Sequence, residues 1–227
     1  MGVILLVIII DQSLKIWVKT NLSYATGFEI LGLDWARIHF VENEGMAFGI
    51  TFGNKCLGIR ASDGTCNGLV LTPTSAKLLL STFRIFMVGF LIYLIRELYK
   101  SKEPLGLIIS FGLILAGALG NIIDSAFYGL IFSESPYHGD LAQIFPSGGG
   151  YASFLFGKVV DMFYFPMIDN ILPDWVPLYG GKRFEFFRPV FNVADASISI
   201  GVVIILLFYR KFLMNAKTQE SLSDMRG

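Results

Sequence analysis

Asp124, Asp161 and Asp195 each lie in or beside an apolar run, in GALGNIIDS, GKVVDMFYF and FNVADAS respectively. An ionisable side chain inside a bilayer-spanning helix costs about 2.5–3.5 kcal/mol on insertion scales, so such a group faces a partner, a cavity or a site. Two carboxylates held close cannot both ionise comfortably, and near neutrality one of them keeps its proton. Such a pair is an acid and a base together. The ionised member can take a proton from water as it attacks a carbonyl, and the protonated member can donate to the developing oxyanion. Taken alone, Asp195 also has a structural reading, in which Asn192 caps the helix that follows and the helix dipole favours a carboxylate in its first turn. Three carboxylates at one depth are harder to explain that way, and Asn121 and Asn192 beside them add to the polar cluster.

Other chemistries find less support. A membrane metalloprotease needs HExxH, whereas the chain has only His39 and His138, neither in that context. Neither histidine adjoins a Gly-x-Ser-x-Gly turn, so a Ser-His pair is unsupported. A Ser-Lys pair would recruit Lys15, but Asp11 lies one helical turn away and makes that lysine an ion-pair partner. For Asp11 and Lys15 a structural pair and a substrate-positioning role both stand at this stage. Arg84 needs an acidic partner that the sequence does not identify. No spacing resembles a metal site, and no cofactor is expected.

These groups need elements to hold them, and the composition says which. The 227 residues are 54% hydrophobic, 15% aromatic and only 16% charged, too apolar for an ordinary soluble domain. A spanning helix requires about 20 mostly apolar residues, and four segments qualify, near residues 2–20, 76–96, 104–124 and 192–210. The first lacks a basic leading region and a small-residue cleavage site, so a retained helix is expected. RELYKSKE (96–103) and RKFLMNAK (210–217) concentrate lysine and arginine, which places both termini and the intervening turn in the cytoplasm. The segments 21–75 and 125–191 then face outward. Within the first, GFEILGL and WARIHFVEN predict a small strand platform. The second, rich in Phe, Tyr, Gly and Pro, is a long insertion. The expected architecture is a membrane α-helical protein of four transmembrane helices, a small β-rich periplasmic platform and a long periplasmic insertion, with residues 1–227 as one integral membrane domain.

The net charge is zero and the outer segments carry no basic cluster, so nucleic acid is not expected as a partner. Cys56 and Cys66 lie in NKCLGIRASDGTCNG, an outward-facing loop where a disulfide is plausible.

In order along the chain, DQSLK (11–15), NEGMAFG (43–49), GALGNIID (117–124), VVDM (159–162) and FNVAD (191–195) resemble the motifs of the lipoprotein signal peptidases, or signal peptidase II. The resemblance implies an endopeptidase that cleaves the signal peptide of a diacylglyceryl-modified prolipoprotein before its lipidated cysteine. It implies a bacterial inner-membrane, multi-pass enzyme with its active site toward the periplasm and membrane lipid around it; a monomer is expected. Residue by residue, it makes Asp161 and Asp195 the catalytic dyad. Asn43, Gly45, Asn121, Asp124 and Asn192 become the positions that hold substrate or orient the dyad, and Asp11 with Lys15 the polar pair of the first helix. Two departures stand out. Ser125 occupies the place where the family has an arginine, and the intervals on either side of Asp161 are long, leaving Asp140, Asp169 and Asp174 as other acids of that region. A proton-coupled transporter, with intramembrane acids relaying protons, is the alternative; the absence of inverted repeats weighs against it. A non-catalytic membrane scaffold is the third reading.

Overall fold

The structure is a computed structural model and describes residues 1–43, 55–60, 66–71, 73–137, 139–171, 173–175, 180–210 and 212. Helix α1 spans Gly2–Asn21, α2 Pro73–Lys100, α3 Leu105–Ile123 and α5 Val193–Phe208. A π-turn, Asp124–Tyr128, and a short turn α4, Gly129–Ile131, prolong α3. Thr74–Lys100 and Leu105–Ile131 are each 27 residues long and apolar enough to cross a bilayer; at 1.5 Å per residue each reaches about 40 Å, beyond the ~30 Å hydrocarbon core. The third helix thus runs past the predicted end at 124. Val193–Phe208 is equally apolar but shorter, 16 residues.

Helix α1 differs because it carries Asp11, Lys15 and Lys19, each four residues from the next. All three are fully buried, whereas Leu5, Leu6 and Ile9 are exposed. The same inversion appears on α2, where Leu79, Phe83 and Phe86 are exposed while Ser81 is buried. A helix on the surface of a soluble domain does the reverse.

The helices close on small residues. A side chain at Gly117 would run into the backbone carbonyl of Ala194, and one at Gly120 would come within 2.7 Å of the Asp11 carboxylate. A Cβ at Gly201 would lie 2.6 Å from the Ser110 carbonyl. Without these glycines α3 could not approach α5 and α1 so closely, the usual use of small residues where helices meet in lipid. On the inner side Leu91, Leu98, Leu107, Phe111, Leu115 and Ile205 form an apolar cluster joining α2, α3 and α5.

The expected platform forms from 27–43 but recruits its third strand from far along the chain. Strands β1 (Gly27–Glu29), β2 (Arg37–Asn43) and β5 (Val159–Tyr164) make an antiparallel sheet in the order β1-β2-β5. Between Ile38 and Val41 the register with β5 slips, so that Ile38 opposes Phe163 whereas Val41 opposes Asp161, Glu42 opposes Val160 and Asn43 opposes Val159. One face of β5 then presents Val160 and Met162, packed with Phe40, Val18, Tyr128 and Phe132 between platform and helices. Asp161 points to the other. Two separate hairpins, β3–β4 (Lys55–Arg60 and Cys66–Leu71) and β6–β7 (Ile168–Ile171 and Arg183–Phe186), lie in the segments between the helices. In the first, Cys56 opposes Val70 and Cys66 opposes Arg60. This register sets the two cysteines four positions apart along the ladder, about 13 Å, well beyond the roughly 7 Å limit for a disulfide, and an intrachain bond between them does not fit it.

The α3–α5 crossing generates a stability test. Gly117→Val should force the two helices apart and lower the unfolding midpoint in detergent, at a cost of about 1–3 kcal/mol for overpacking. Gly89→Ala, on α2 where nothing lies within 4 Å of the added carbon, should leave the midpoint unchanged or raise it slightly; equal losses from both would refute the packing argument.

Candidate active site

Asp161 is carried by β5, and what brings it to Asp195 is the residue just before α5. The backbone N–H groups of Met162 and Phe163 both donate to the Phe191 carbonyl (3.1 and 2.7 Å), and the Phe191 N–H donates to the Phe163 carbonyl at 3.0 Å. Phe191 therefore acts as a one-residue edge strand that hands the chain straight into α5. The next residue, Asn192, caps that helix. Its Oδ1 accepts from the Asp195 N–H at 2.9 Å, and the Asp195 carboxylate accepts from the Asn192 N–H at 3.4 Å, a reciprocal capping box. With Oδ1 so engaged, the Asn192 amide nitrogen is turned the other way, donating to Asp161 Oδ1 at 2.7 Å. The two acids thus meet across one buried amide.

A second amide repeats the logic. Lys15 Nζ lies 2.9 Å from Asp11, 2.8 Å from Asp124 and 3.0 Å from the Asn121 Oδ1 atom, so each of its three donors has a partner. Since Asn121 Oδ1 accepts from Lys15, and from Asn192 at 3.2 Å, its nitrogen faces Asp195 and donates to Oδ1 at 2.8 Å. On the platform side Asn43 donates to Asp161 Oδ2 at 3.3 Å.

Asp124 lies fully buried behind this layer. Besides Lys15 it accepts from Gln12 at 2.9 Å and from the Val160 backbone N–H at 3.2 Å, tying α3 to the strand that bears Asp161. Asp11 accepts from the Ala194 N–H at 2.9 Å, tying α1 to the first turn of α5. Gly45 lies outside the described residues. Asp140 and Asp174 are exposed, and of Asp169 only the backbone, in β6, is described.

Asn43, Asn121, Asp161, Asp195 and Arg84 line a cleft of about 640 Å³ whose remaining wall is largely apolar, including Val159, Phe187, Val190, Ile198 and Ile200. Its size and its few convergent polar groups suit a bound segment of peptide. Asp161 is 3% exposed. Burial first, and the nearby charge of Asp195 second, push its carboxyl up to about 7, against the opposing pull of the Asn43 and Asn192 amides and of Lys15. A second groove, of about 400 Å³ and lined by Glu29, Arg37 and His39 among others, lies on the platform without such a carboxylate pair. Among the described residues no group of three or more His, Cys, Asp or Glu side chains could hold a metal ion.

Two participants went unread in the sequence. Gln12 sits inside the DQSLK motif and links Asp11, Asp124 and, through its Oε1, the Tyr128 hydroxyl at 3.1 Å. Lys19 forms a buried ion pair with Glu42 and donates to Ser135 at 2.8 Å, pinning the C-terminal end of α1 to the platform and the insertion; its four-residue spacing from Lys15 was the available signal. Arg84, whose need of a partner was read from the sequence, brings a guanidinium from α2 to within 3.4 Å of the Ser125 hydroxyl.

A family profile described as signal peptidase (SPase) II matches residues 3–211. A lipoprotein signal peptidase of Porphyromonas gingivalis is 47% identical over 209 residues, covering 92% of this chain and 81% of that protein. One from Amoebophilus asiaticus is 37% identical over 209 residues, covering 91% of this chain and 75% of its own. Among solved structures, a bacterial membrane enzyme determined by the in meso method superposes with a TM-score of 0.53 at 21% identity, covering 94% of this chain and 88% of that one; this likeness is one of fold. With two helices able to cross a bilayer, these matches describe an integral membrane protein. The order of the five motifs, the extent of the profile match and the identity to these relatives agree: the chain belongs to the signal peptidase II family, the lipoprotein signal peptidases.

Proposed function

We infer that this chain is an aspartic endopeptidase that removes the signal peptide from diacylglyceryl-modified prolipoproteins, with Asp161 and Asp195 as its catalytic pair. The observation that carries this reading is the meeting of the two carboxylates on one capped helix end, with Asn192 donating to Asp161 and accepting from the Asp195 N–H, inside a cleft that both acids line. Membership in a peptidase family gives the transporter reading no support.

The chemistry follows from the positions. Water enters between the acids. One carboxylate takes its proton as the water oxygen bonds to the scissile carbonyl carbon, and the carboxylic acid opposite gives its proton to the carbonyl oxygen. Collapse of the tetrahedral species breaks the C–N bond: the proton first taken from water passes to the departing amine, and one hydroxyl of the gem-diol returns its proton to the carboxylate that had protonated the carbonyl oxygen. The burial that favours the neutral form of Asp161 suits it to start as the acid. Asp195, at a helix N-terminus and receiving the Asn121 amide and the Asn192 N–H, takes the part of the base. Asn43, Asn121 and Asn192 orient the pair; Asp124, Asp11 and Lys15 hold those amides in place.

The placement of the rest is part of the same reading. α1, α2, α3 and α5 are the four spans of one membrane domain over 1–227. Both termini and the α2–α3 turn lie in the cytoplasm, by the distribution of basic residues. The platform, the insertion and the cleft then face the periplasm at the outer leaflet of the inner membrane. The apolar cleft wall of Val190, Ile198 and Ile200 suits a substrate whose acyl chains lie in lipid and bring the scissile bond to the acids, which lowers the entropy lost on docking. The enzyme acts as a monomer.

Asp161→Asn and Asp195→Asn should each lower kcat by about 10³-fold in cleavage of purified, lipid-modified prolipoprotein, within the range for loss of a general acid or base. The double variant should be little worse than either, because the pair works as a unit. Near-normal turnover by either single variant that inserts correctly would overturn the assignment.

The pH profile follows from Asp161. A carboxyl raised to about 7 is protonated below that pH and loses its proton above it, so kcat/KM should fall on the alkaline side of about 7. The Asn43 amide stabilises the ionised form; removing it in Asn43→Ala favours the neutral form and should move that limb to higher pH. A limb that stays in place or moves down would contradict the role given to Asn43.

Precursor lacking the diacylglyceryl group should be cleaved with a much smaller kcat/KM. Equal rates on lipidated and unlipidated precursor would show that the acyl chains contribute nothing to positioning.

A further inference from the structure

The acid–base scheme leaves out the cation on α2. Arg84 sits in a stretch whose flanking residues Phe83, Ile85 and Phe86 are exposed apolar side chains, and a guanidinium persists among them only where it serves a partner. It turns into the bundle, lining the same cleft as Asp161, Asp195 and Asn121. Its Nη1 donates to Ser125 Oγ at 3.4 Å, and Ser125 in turn donates its own proton to the Asn121 carbonyl at 3.0 Å. The serine hydroxyl is thereby oriented with lone pairs toward the guanidinium. The acids whose charge acts on Arg84 are Asp195, Asp124 and Asp161, and Asp124 is already held by Lys15 at 2.8 Å.

A peptide drawn into this cleft brings backbone carbonyls out of water, and each needs a donor. The amide nitrogens of Asn43 and Asn121 are turned to the aspartates, and carboxylates only accept. A guanidinium carries five N–H donors in a fixed fork, so it can hold Ser125 and a peptide carbonyl at once. We propose that Arg84, seated by Ser125, is a substrate-binding residue of this enzyme: it hydrogen-bonds a backbone carbonyl next to the scissile bond and sets that bond against the two aspartates. This rests on the dyad reading above.

The test uses the full chain in lipid-containing micelles with diacylglyceryl-modified prolipoprotein, measuring kcat and KM for the wild type, Arg84→Leu, Arg84→Lys and the double variant Arg84→Leu/Ser125→Arg. Arg84→Leu should lower kcat/KM about 100-fold, as loss of one preorganised charged donor does. Arg84→Lys, which keeps the charge but not the fork, should lower it about tenfold. Because Ser125 Oγ already touches the guanidinium, an arginine at 125 reaches the same space, and the double variant should regain at least about tenfold over Arg84→Leu. A merely structural cation would not be rescued from another helix. Arg84→Leu within about threefold of the wild type would overturn the proposal, as would a double variant that inserts and melts normally yet stays at the level of Arg84→Leu. Should Arg84→Leu fail to insert, Arg84→Lys decides: wild-type kcat/KM there overturns the proposal, and a loss of about tenfold upholds it. Asp161→Asn is assayed in parallel; if it is active the dyad is misassigned, an outcome separate from any reading of the Arg84 series.

Discussion

The Lys15 ammonium is the point on which the assembly turns. It is fully buried and held by Asp11, Asp124 and Asn121 at 2.8–3.0 Å. Bringing three charges out of water costs more than their attraction returns unless every donor and acceptor finds a partner. Here they do. Gln12 donates to both carboxylates, the Ala194 N–H reaches Asp11, and the Val160 N–H reaches Asp124. Those bonds come from α1, α3, β5 and the start of α5, so four elements distant in sequence must arrive in one geometry for the charges to be tolerated. Removing the lysine would leave two carboxylates buried and facing one another, and it would also release Asn121 to turn over.

The bulge in β2 is the second constraint, and it serves both faces of the sheet. Had the register of Ile38 and Phe163 continued, Phe40 would oppose Asp161 and Glu42 would oppose Val159. With the extra residue, Val41 opposes Asp161 and Asn43 opposes Val159, so Asn43 shares the Asp161 face and can donate to it. Glu42 moves to the opposite face, where it meets Lys19. A one-residue slip flips every side chain of a strand, and here the flip places an amide at the cleft and an acid at the buried lysine in one step. Lys19 is further enclosed by the rings of Phe132 and Tyr151, 5.5 and 5.1 Å from its nitrogen. The insertion is thereby joined to the platform it covers.

Much of this was legible in the sequence because local chemistry decides it. Apolar runs define the helices, alternation in WARIHFVEN defines β2, and Asn192 reads as the cap of the helix that follows it. Pairings that close over long stretches of chain were not legible. Nothing near VVDM says that it joins β2 or that Phe191 will pair with Phe163. For that reason Asp161 could not be told from Asp140 or Asp174 by pattern alone, although burial now separates it from both. The helix ends also moved. No charge interrupts the third apolar run, but the π-turn that continues it to Ile131 is a matter of packing around Asp124 and Gly157. The cysteine pair stayed open for a related reason: closeness in a loop allows a disulfide, while the ladder register of the hairpin sets the two residues apart.

The distribution of charge around the cleft has a chemical reason. Among the described residues, the side-chain amides of Asn43, Asn121 and Asn192 donate to the two aspartates at 2.7–3.3 Å. An amide fixes the direction of a carboxylate and favours its ionised form without bringing a charge, whereas an ammonium at the same distance would hold Asp161 ionised and remove the acid from the pair. The charge needed to orient those amides is kept one layer back. Lys15 bonds Asn121 rather than an aspartate of the pair, and its own charge is matched by Asp11 and Asp124. Arg84 is seated on a neutral hydroxyl, Ser125. A proton that must be gained and lost in every turnover is thus held by neutral amides, while the rigidity comes from ion pairs one layer behind.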